Sequence, residues 1–96
     1  MLFHVKAQHS WETCEGNATN PSPASERLKW VEGTEDIKVI GAWSCTPEHI
    51  AFAVVEATDA TKLHQFFRPR GLKGKVEIMP VGDHIANRKS NGDWGK

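Results

Sequence analysis

The chain begins with alternating apolar and polar residues over Leu2–Gln8, a pattern that predicts a β-strand with one buried face. Phe3, Val5 and Ala7 fall on the face that we expect to pack against helices. The opposite face receives Leu2, His4, Lys6 and Gln8. We therefore expect His4 on the side of the sheet that the helices leave open.

The next segment, residues 10–23, has no periodic pattern and contains several glycine, asparagine and proline residues, so it predicts a long loop. Ser22 followed by Pro23 is typical of a helix start, with a hydroxyl cap before a proline in the first turn. We expect this first helix to end at Gly33.

A β-hairpin is predicted after this helix. The β-branched segment 37–44 indicates a second strand, and a third strand is predicted from His49 to about Ala57. The residues between these strands, Thr46–Glu48, contain a proline and predict a tight turn.

A second helix is predicted after Thr58 or Asp59, since either side chain can cap the first turn. Pro69 and Gly71 are expected to stop the helix. Its buried stripe follows helical spacing and consists of Ala60, Leu63, His64 and Phe67.

With a last strand over 75–81, the element order β-α-β-β-α-β defines an α+β, ferredoxin-like fold: a four-stranded antiparallel sheet with two helices on one face. Right-handed crossovers give the strand order 4-1-3-2. We expect one domain over residues 1–82 and a polar, flexible C-terminal tail over 83–96. The open face carries apolar residues such as Leu2 and Ile40, so we expect a homodimer that covers it.

Composition narrows the classes of partner. The 96 residues include 12 basic and 12 acidic side chains without a dense basic block, so nucleic acid is not an expected partner. No apolar segment is long enough to span a membrane, and the N-terminus lacks a secretory pattern, which predicts a cytoplasmic protein. In a reducing compartment, Cys14 and Cys45 are expected as thiols or metal ligands.

Two short segments each carry one histidine and one cysteine: His9 with Cys14, and Cys45 with His49. In the predicted topology the ends of the first two strands and the start of the third meet at one edge of the sheet. Two thiolates and two imidazoles suit a divalent transition metal, with tetrahedral zinc as the first candidate. The alternative is that the cysteines are small apolar residues and the histidines face solvent.

Three of these residues are enough for an open site. With His9, Cys14 and His49 as ligands and water as the fourth, the centre would be catalytic in character, because zinc lowers the pKa of its bound water to about 7. His4 is another candidate ligand if the site lies on the open face. Its alternative role is a histidine hydrogen-bonded across the sheet or at a dimer interface.

Four short motifs resemble those of one protein family. They are MLFHV at 1–5, HSxExC at 9–14, TPEHI at 46–50 and VEA at 55–57. Together they resemble an uncharacterised family of short ferredoxin-like domains of unknown function, over most of residues 1–81. The resemblance implies no activity. The histidine, cysteine and histidine of the family pattern match His9, Cys14 and His49, whereas Cys45 is less characteristic, which favours the three-ligand site.

The predicted dimer also resembles the dimeric α/β-barrel proteins, in which a cavity between sheet and helices holds small aromatic ligands or haem. This resemblance implies a second function, a cofactor-free or haem-dependent small-molecule enzyme that uses His64 or His4 as a base or axial ligand. The alternative role of His64 is a hydrogen-bonded core histidine. Trp30 and Trp43 are expected in the core or on the wall of such a cavity.

A third function is a noncatalytic, dimeric module that binds a small molecule. The sequence holds no nucleophile triad, glycine-rich phosphate loop or paired-carboxylate motif. It therefore predicts no particular reaction, and whether the protein is an enzyme stays open at this point.

Overall fold

The fold is given by a computed structural model, which describes residues 1–9, 28–67 and 74–96. Four strands form one sheet: β1 (Leu2–Gln8), β2 (Ile37–Cys45), β3 (Ile50–Ala57) and β4 (Lys75–Val81). The described residues also contain two α-helices, α1 (Ala60–Phe67) and α2 (His84–Ser90), and two 3₁₀ turns, Lys29–Glu32 and Thr46–Glu48.

The strands lie in the order β2-β3-β1-β4, and each neighbouring pair is antiparallel. This is the predicted order, so the α+β class and the ferredoxin-like sheet are confirmed. The predicted bounds of β1 and β4 are also confirmed, and those of β2 and β3 differ from the structure by one residue. Alternation of period two located β1 and β4, and β-branched composition on either side of a tight turn located β2 and β3.

The hydrophobic core lies on one face of this sheet. Val5 and Val55 from the two central strands and Leu63 and Phe67 from α1 are almost completely buried. The Trp30 ring meets the Phe67 ring nearly edge to face, with centroids 5.6 Å apart. The same cluster contains Phe3, Ile37, Ala53, Ala57 and Phe66. Because each large apolar side chain contributes about 1.5–3 kcal/mol when buried, this cluster is the main source of stability.

The first predicted helix lies largely outside the described residues, as does the long loop predicted before it. Of the predicted helix, only its last part is described, and there Lys29–Glu32 form a single 3₁₀ turn instead of an α-helix. The predicted end at Gly33 is confirmed: its amide donates to the carbonyl of Trp30. Gly33 has φ +71°, and a Cβ there would collide with the carbonyl oxygen of Ile37, so glycine is required.

Helix α1 begins as predicted. The Asp59 carboxylate accepts a hydrogen bond of 2.9 Å from the Lys62 amide, which satisfies one of the unpaired donors in the first turn. The described part of the helix ends at Phe67, just before the predicted stop signals, Pro69 and Gly71, which lie outside the described residues.

The C-terminal residues, expected as a polar tail, contain a second α-helix. Residues His84–Ser90 form helix α2, and the Asp83 carboxylate caps it by accepting from the Ala86 amide at 2.9 Å. The sequence analysis missed this helix because it has no apolar stripe: Ile85 is its single large apolar residue. All residues of α2 are exposed.

Candidate metal and ligand sites

Two histidines meet at one end of the sheet. His9 follows the last residue of β1, and His49 lies in the turn between β2 and β3. The His9 amide donates to the His49 carbonyl at 3.1 Å, which extends the β1–β3 ladder by one bond. The two imidazole rings lie nearly edge to face, with centroids 5.2 Å apart. We expected the segment after β1 and the turn before β3 to meet at one edge of the sheet. The contact between His9 and His49 agrees with this expectation.

The position of His49 depends on the turn before it. Pro47 lies in the first turn of the 3₁₀ segment Thr46–Glu48, and the His49 amide closes the segment by donating to the Thr46 carbonyl at 3.0 Å. His49 itself has φ 55° and ψ 41°, in the left-handed region. A non-glycine residue there costs roughly 1–2 kcal/mol, so the turn holds this imidazole at a local energetic cost.

The Nε2 atom of His9 is buried and has no hydrogen-bond partner among the described residues. An unpaired buried polar atom costs about 1–3 kcal/mol, and such atoms are uncommon in folded proteins. A nitrogen in this state retains a lone pair or a proton for a group that the protein itself does not supply.

Of the two predicted cysteine ligands, Cys45 is the one that lies within the described residues. Cys45 is a free, exposed thiol that pairs with Ile50 at the end of the β2–β3 ladder. No group of three or more His, Cys, Asp or Glu side chains that could hold a metal occurs in residues 1–9, 28–67 and 74–96. The structure therefore does not bring Cys45 to the His9–His49 pair. Cys14 lies outside the described residues.

A second unpaired histidine lies near the middle of the open face of the sheet. We define the open face by the side chains that point away from the core. His4 pairs with Val54 on one side and Met79 on the other. Its Nδ1 atom is buried and has no partner within the described chain, and its ring centroid lies 6.0 Å from that of Phe52. The predicted side of the sheet is confirmed for His4.

The open face is largely apolar around His4. Trp43 is 61% exposed and Met79 is 51% exposed, although both are large apolar residues. Trp30 is in the core as expected, whereas Trp43 is not. The other apolar side chains of the open face are Leu2, Ile50, Phe52, Val54 and Val81.

His64 is exposed on α1. It is therefore not the hydrogen-bonded core histidine considered as its alternative role, and its role as a base or axial ligand stays a prediction. The reason is geometric: α1 buries Leu63, Phe66 and Phe67, and this narrower surface leaves position 64 in solvent.

The charged end of the open face contains one close ion pair. The Lys75 ammonium lies 3.1 Å from the Glu77 carboxylate. The hydrogen bond from Lys75 and its charge lower the pKa of Glu77 from its ordinary value of 4.5, with a smaller contribution from Lys6. Lys75 and Glu77 therefore lie where the apolar part of the open face ends.

The fold and the two histidine sites define a small α+β domain with a ferredoxin-like sheet. The family model described as "Domain of unknown function (DUF3303)" matches residues 1–89, nearly the whole chain. The protein belongs to this family, which confirms the expected membership of an uncharacterised family. No curated protein and no solved structure matches the chain.

The matched region includes β1 to β4 and all but the last residue of α2. Among the described residues, no helix combines the length and the hydrophobicity needed to cross a membrane.

Proposed function

We propose that this protein binds a divalent transition metal ion at the end of the sheet where His9 and His49 meet. The observation that carries the proposal is the contact between the two imidazoles, together with the buried, unpaired Nε2 of His9. A neutral imidazole nitrogen is the commonest metal ligand in proteins.

The spacing of the rings is compatible with a shared ion. With Zn–N bonds of about 2.0–2.1 Å and a tetrahedral angle, two imidazoles on one zinc ion have ring centroids about 5 Å apart. The observed separation is 5.2 Å. The pair therefore needs no large movement of the backbone to accept a metal.

A third ligand is needed for tight binding, and Cys14 is our candidate. It follows His9 by five residues, so an extended chain keeps it within about 17 Å of His9. A cytoplasmic, reducing setting belongs to this proposal, because it keeps the cysteine reduced and free to bind a metal. Cys45 is not included in the site.

With three protein ligands, one coordination position remains for water. A zinc ion in such a site lowers the pKa of bound water to about 7 and supplies a nucleophile at neutral pH. The proposed site thus allows hydrolytic chemistry, and a sensor or carrier role applies if substrate cannot reach it.

The test is metal analysis of protein purified without a histidine tag, followed by calorimetric titration of zinc into the metal-free chain. We expect His49→Asn and Cys14→Ser to weaken zinc binding at least tenfold. The matched controls, His84→Asn and Cys45→Ser, should bind as the wild type does. Wild-type protein that binds none of zinc, copper, nickel or iron would overturn the proposal.

A second candidate function rests on the open face. Apolar side chains as exposed as Trp43 and Met79 lie on the same face as a histidine whose Nδ1 is buried and has no partner among the described residues. Contiguous apolar surfaces of this kind mark protein or ligand interfaces. We propose a homodimer in which two open faces meet, with His4 placed to bind haem or a small aromatic ligand between them.

Haem titration tests this second candidate. A Soret band that His4→Ala abolishes and His64→Ala leaves unchanged would support ligation by His4. Absence of any spectral change in wild-type protein would exclude haem. A thermal-shift screen of small aromatic carboxylates and phenols then tests the noncatalytic binding module, with His4→Ala as the control variant.

A further inference from the structure

The C-terminal arm, which we define as residues 82–96, is locally well organised. Besides the Asp83 cap of α2, the Arg88 guanidinium donates to the carbonyl of Lys96 at 3.1 Å. The Lys89 ammonium lies 4.8 Å from the centroid of the Trp94 ring, a cation–π contact that fixes the ring beside the helix. These contacts fold the arm back on itself.

The arm is nevertheless not packed on the rest of the described chain, residues 1–9, 28–67 and 74–81. Every residue from Gly82 to Lys96 is exposed, including Ile85 at 59% and Trp94 at 56%. An isolated helix of seven residues is not stable in water, because so few hydrogen bonds do not offset the cost of nucleation. The apolar side chains of the arm therefore need a surface that the described part of the same chain does not provide.

The open face also exposes apolar side chains, such as Trp43 and Met79, that a partner surface would bury. Four strands about 4.8 Å apart, each about 24 Å long, give this face an outline of roughly 450 Å². A stable protein interface buries about 800 Å² on each partner. The outline of the face alone is smaller than this, so a dimer needs a second contact surface on each copy.

The edges of the sheet do not favour association strand to strand. β4 is an edge strand, and Pro80 within it has no amide hydrogen to donate. β2 is the other edge, and its register is interrupted between Val39 and Gly41 by a bulge-like irregularity. Association through the open face and the arm remains the route that these surfaces allow.

From these observations we propose that the C-terminal arm packs on a second copy of the same chain and completes a two-fold dimer. Each copy carries both an uncovered face and an unpacked arm, so a two-fold arrangement satisfies both surfaces twice. The net charge of +0 produces no long-range repulsion between two copies. Ile85 and Trp94 are the residues that contact the partner.

This inference rests on the homodimer of the second candidate function and is independent of the metal site. Sedimentation equilibrium measures the dissociation constant of the dimer for each variant. We expect wild type to be a dimer at micromolar concentration. The double substitution Ile85→Asp with Trp94→Ser should weaken the dimer at least tenfold, as should Asp83→Ala, which uncaps α2 without placing a charge at the interface.

Val31→Asp is the matched control, since Val31 is 39% exposed but lies outside both the arm and the open face. It should leave the dimer unchanged. Circular dichroism of each variant verifies that the sheet is folded. A monomeric wild type would overturn both this inference and the proposed dimer. A dimer that Met79→Lys dissociates but the arm variants do not would overturn the arm contact alone.

Discussion

The Trp43 ring lies across Gly41, two residues earlier on the same strand, so closely that a Cβ on Gly41 would collide with it. Both residues belong to β2 beside the bulge-like irregularity. The absent side chain at position 41 lets an exposed tryptophan lie flat along the sheet instead of standing away from it.

Gly41→Ala should therefore displace Trp43. The backbone at position 41 is not in the left-handed region and the ring is free to move into solvent, so we expect a stability loss below about 1 kcal/mol, less than usual for overpacking. The indole N–H signal of Trp43 in NMR spectra, assigned with Trp43→Phe, should shift. Gly82→Ala, where a Cβ meets nothing within 4 Å, is the control and should leave that signal in place.

The left-handed conformation of His49 predicts an unusual response to substitution. His49→Gly should hold or raise the stability of the fold, since glycine removes a strain of roughly 1–2 kcal/mol. His49→Val should lower it by about that amount, because a β-branched residue avoids this region. Urea denaturation measures both. Equal stability of the glycine and valine variants would contradict the strained turn.

The two aspartate caps should behave differently. Asp59 caps α1, which packs on the core, so Asp59→Ala should lower the free energy of unfolding by about 0.5–2 kcal/mol. Asp83 caps α2, which is exposed throughout, so Asp83→Ala should reduce helical content while leaving the unfolding midpoint of the dissociated chain nearly unchanged. Circular dichroism at a concentration where the dimer forms, and urea denaturation at low protein concentration, separate these outcomes.

The ion pair of Glu77 predicts a pH effect. Since the Lys75 hydrogen bond and charge lower the pKa of Glu77 below 4.5 in the folded state, the ionised carboxylate favours the native chain. That contribution is present above the unfolded pKa and is lost as the pH falls through the lower, folded pKa. Lys75→Gln should raise the pKa of Glu77, measured from its carboxyl carbon shift by NMR. Lys6→Gln should produce a smaller rise.

Much of the fold was accessible from the sequence because the signals were local. Alternation located β1 and β4 to the residue, and Asp59 signalled the start of α1. The strand order followed from chirality and connection rules, which do not depend on side-chain detail. Helix α2 was missed because its polar sequence has no apolar stripe at helical spacing.

The candidate site was predicted in part for a similar reason. Topology alone places the end of β1 beside the turn before β3, so the contact of His9 with His49 followed from strand order. The position of Cys45 did not, because a residue at the end of a strand can belong to either side of the sheet. The exposure of His64 depends on how α1 rolls on the core, which helical spacing fixes only within about one position.

Pro80 has a consequence for how far these molecules can assemble. A sheet grows when its edge strand donates backbone amides to an added strand, and β4 lacks one such amide at its next-to-last residue. The missing amide weakens strand addition at this edge and so disfavours fibrous growth from this side. Concentrated solutions of the protein should accordingly scatter light as small, closed particles of fixed size.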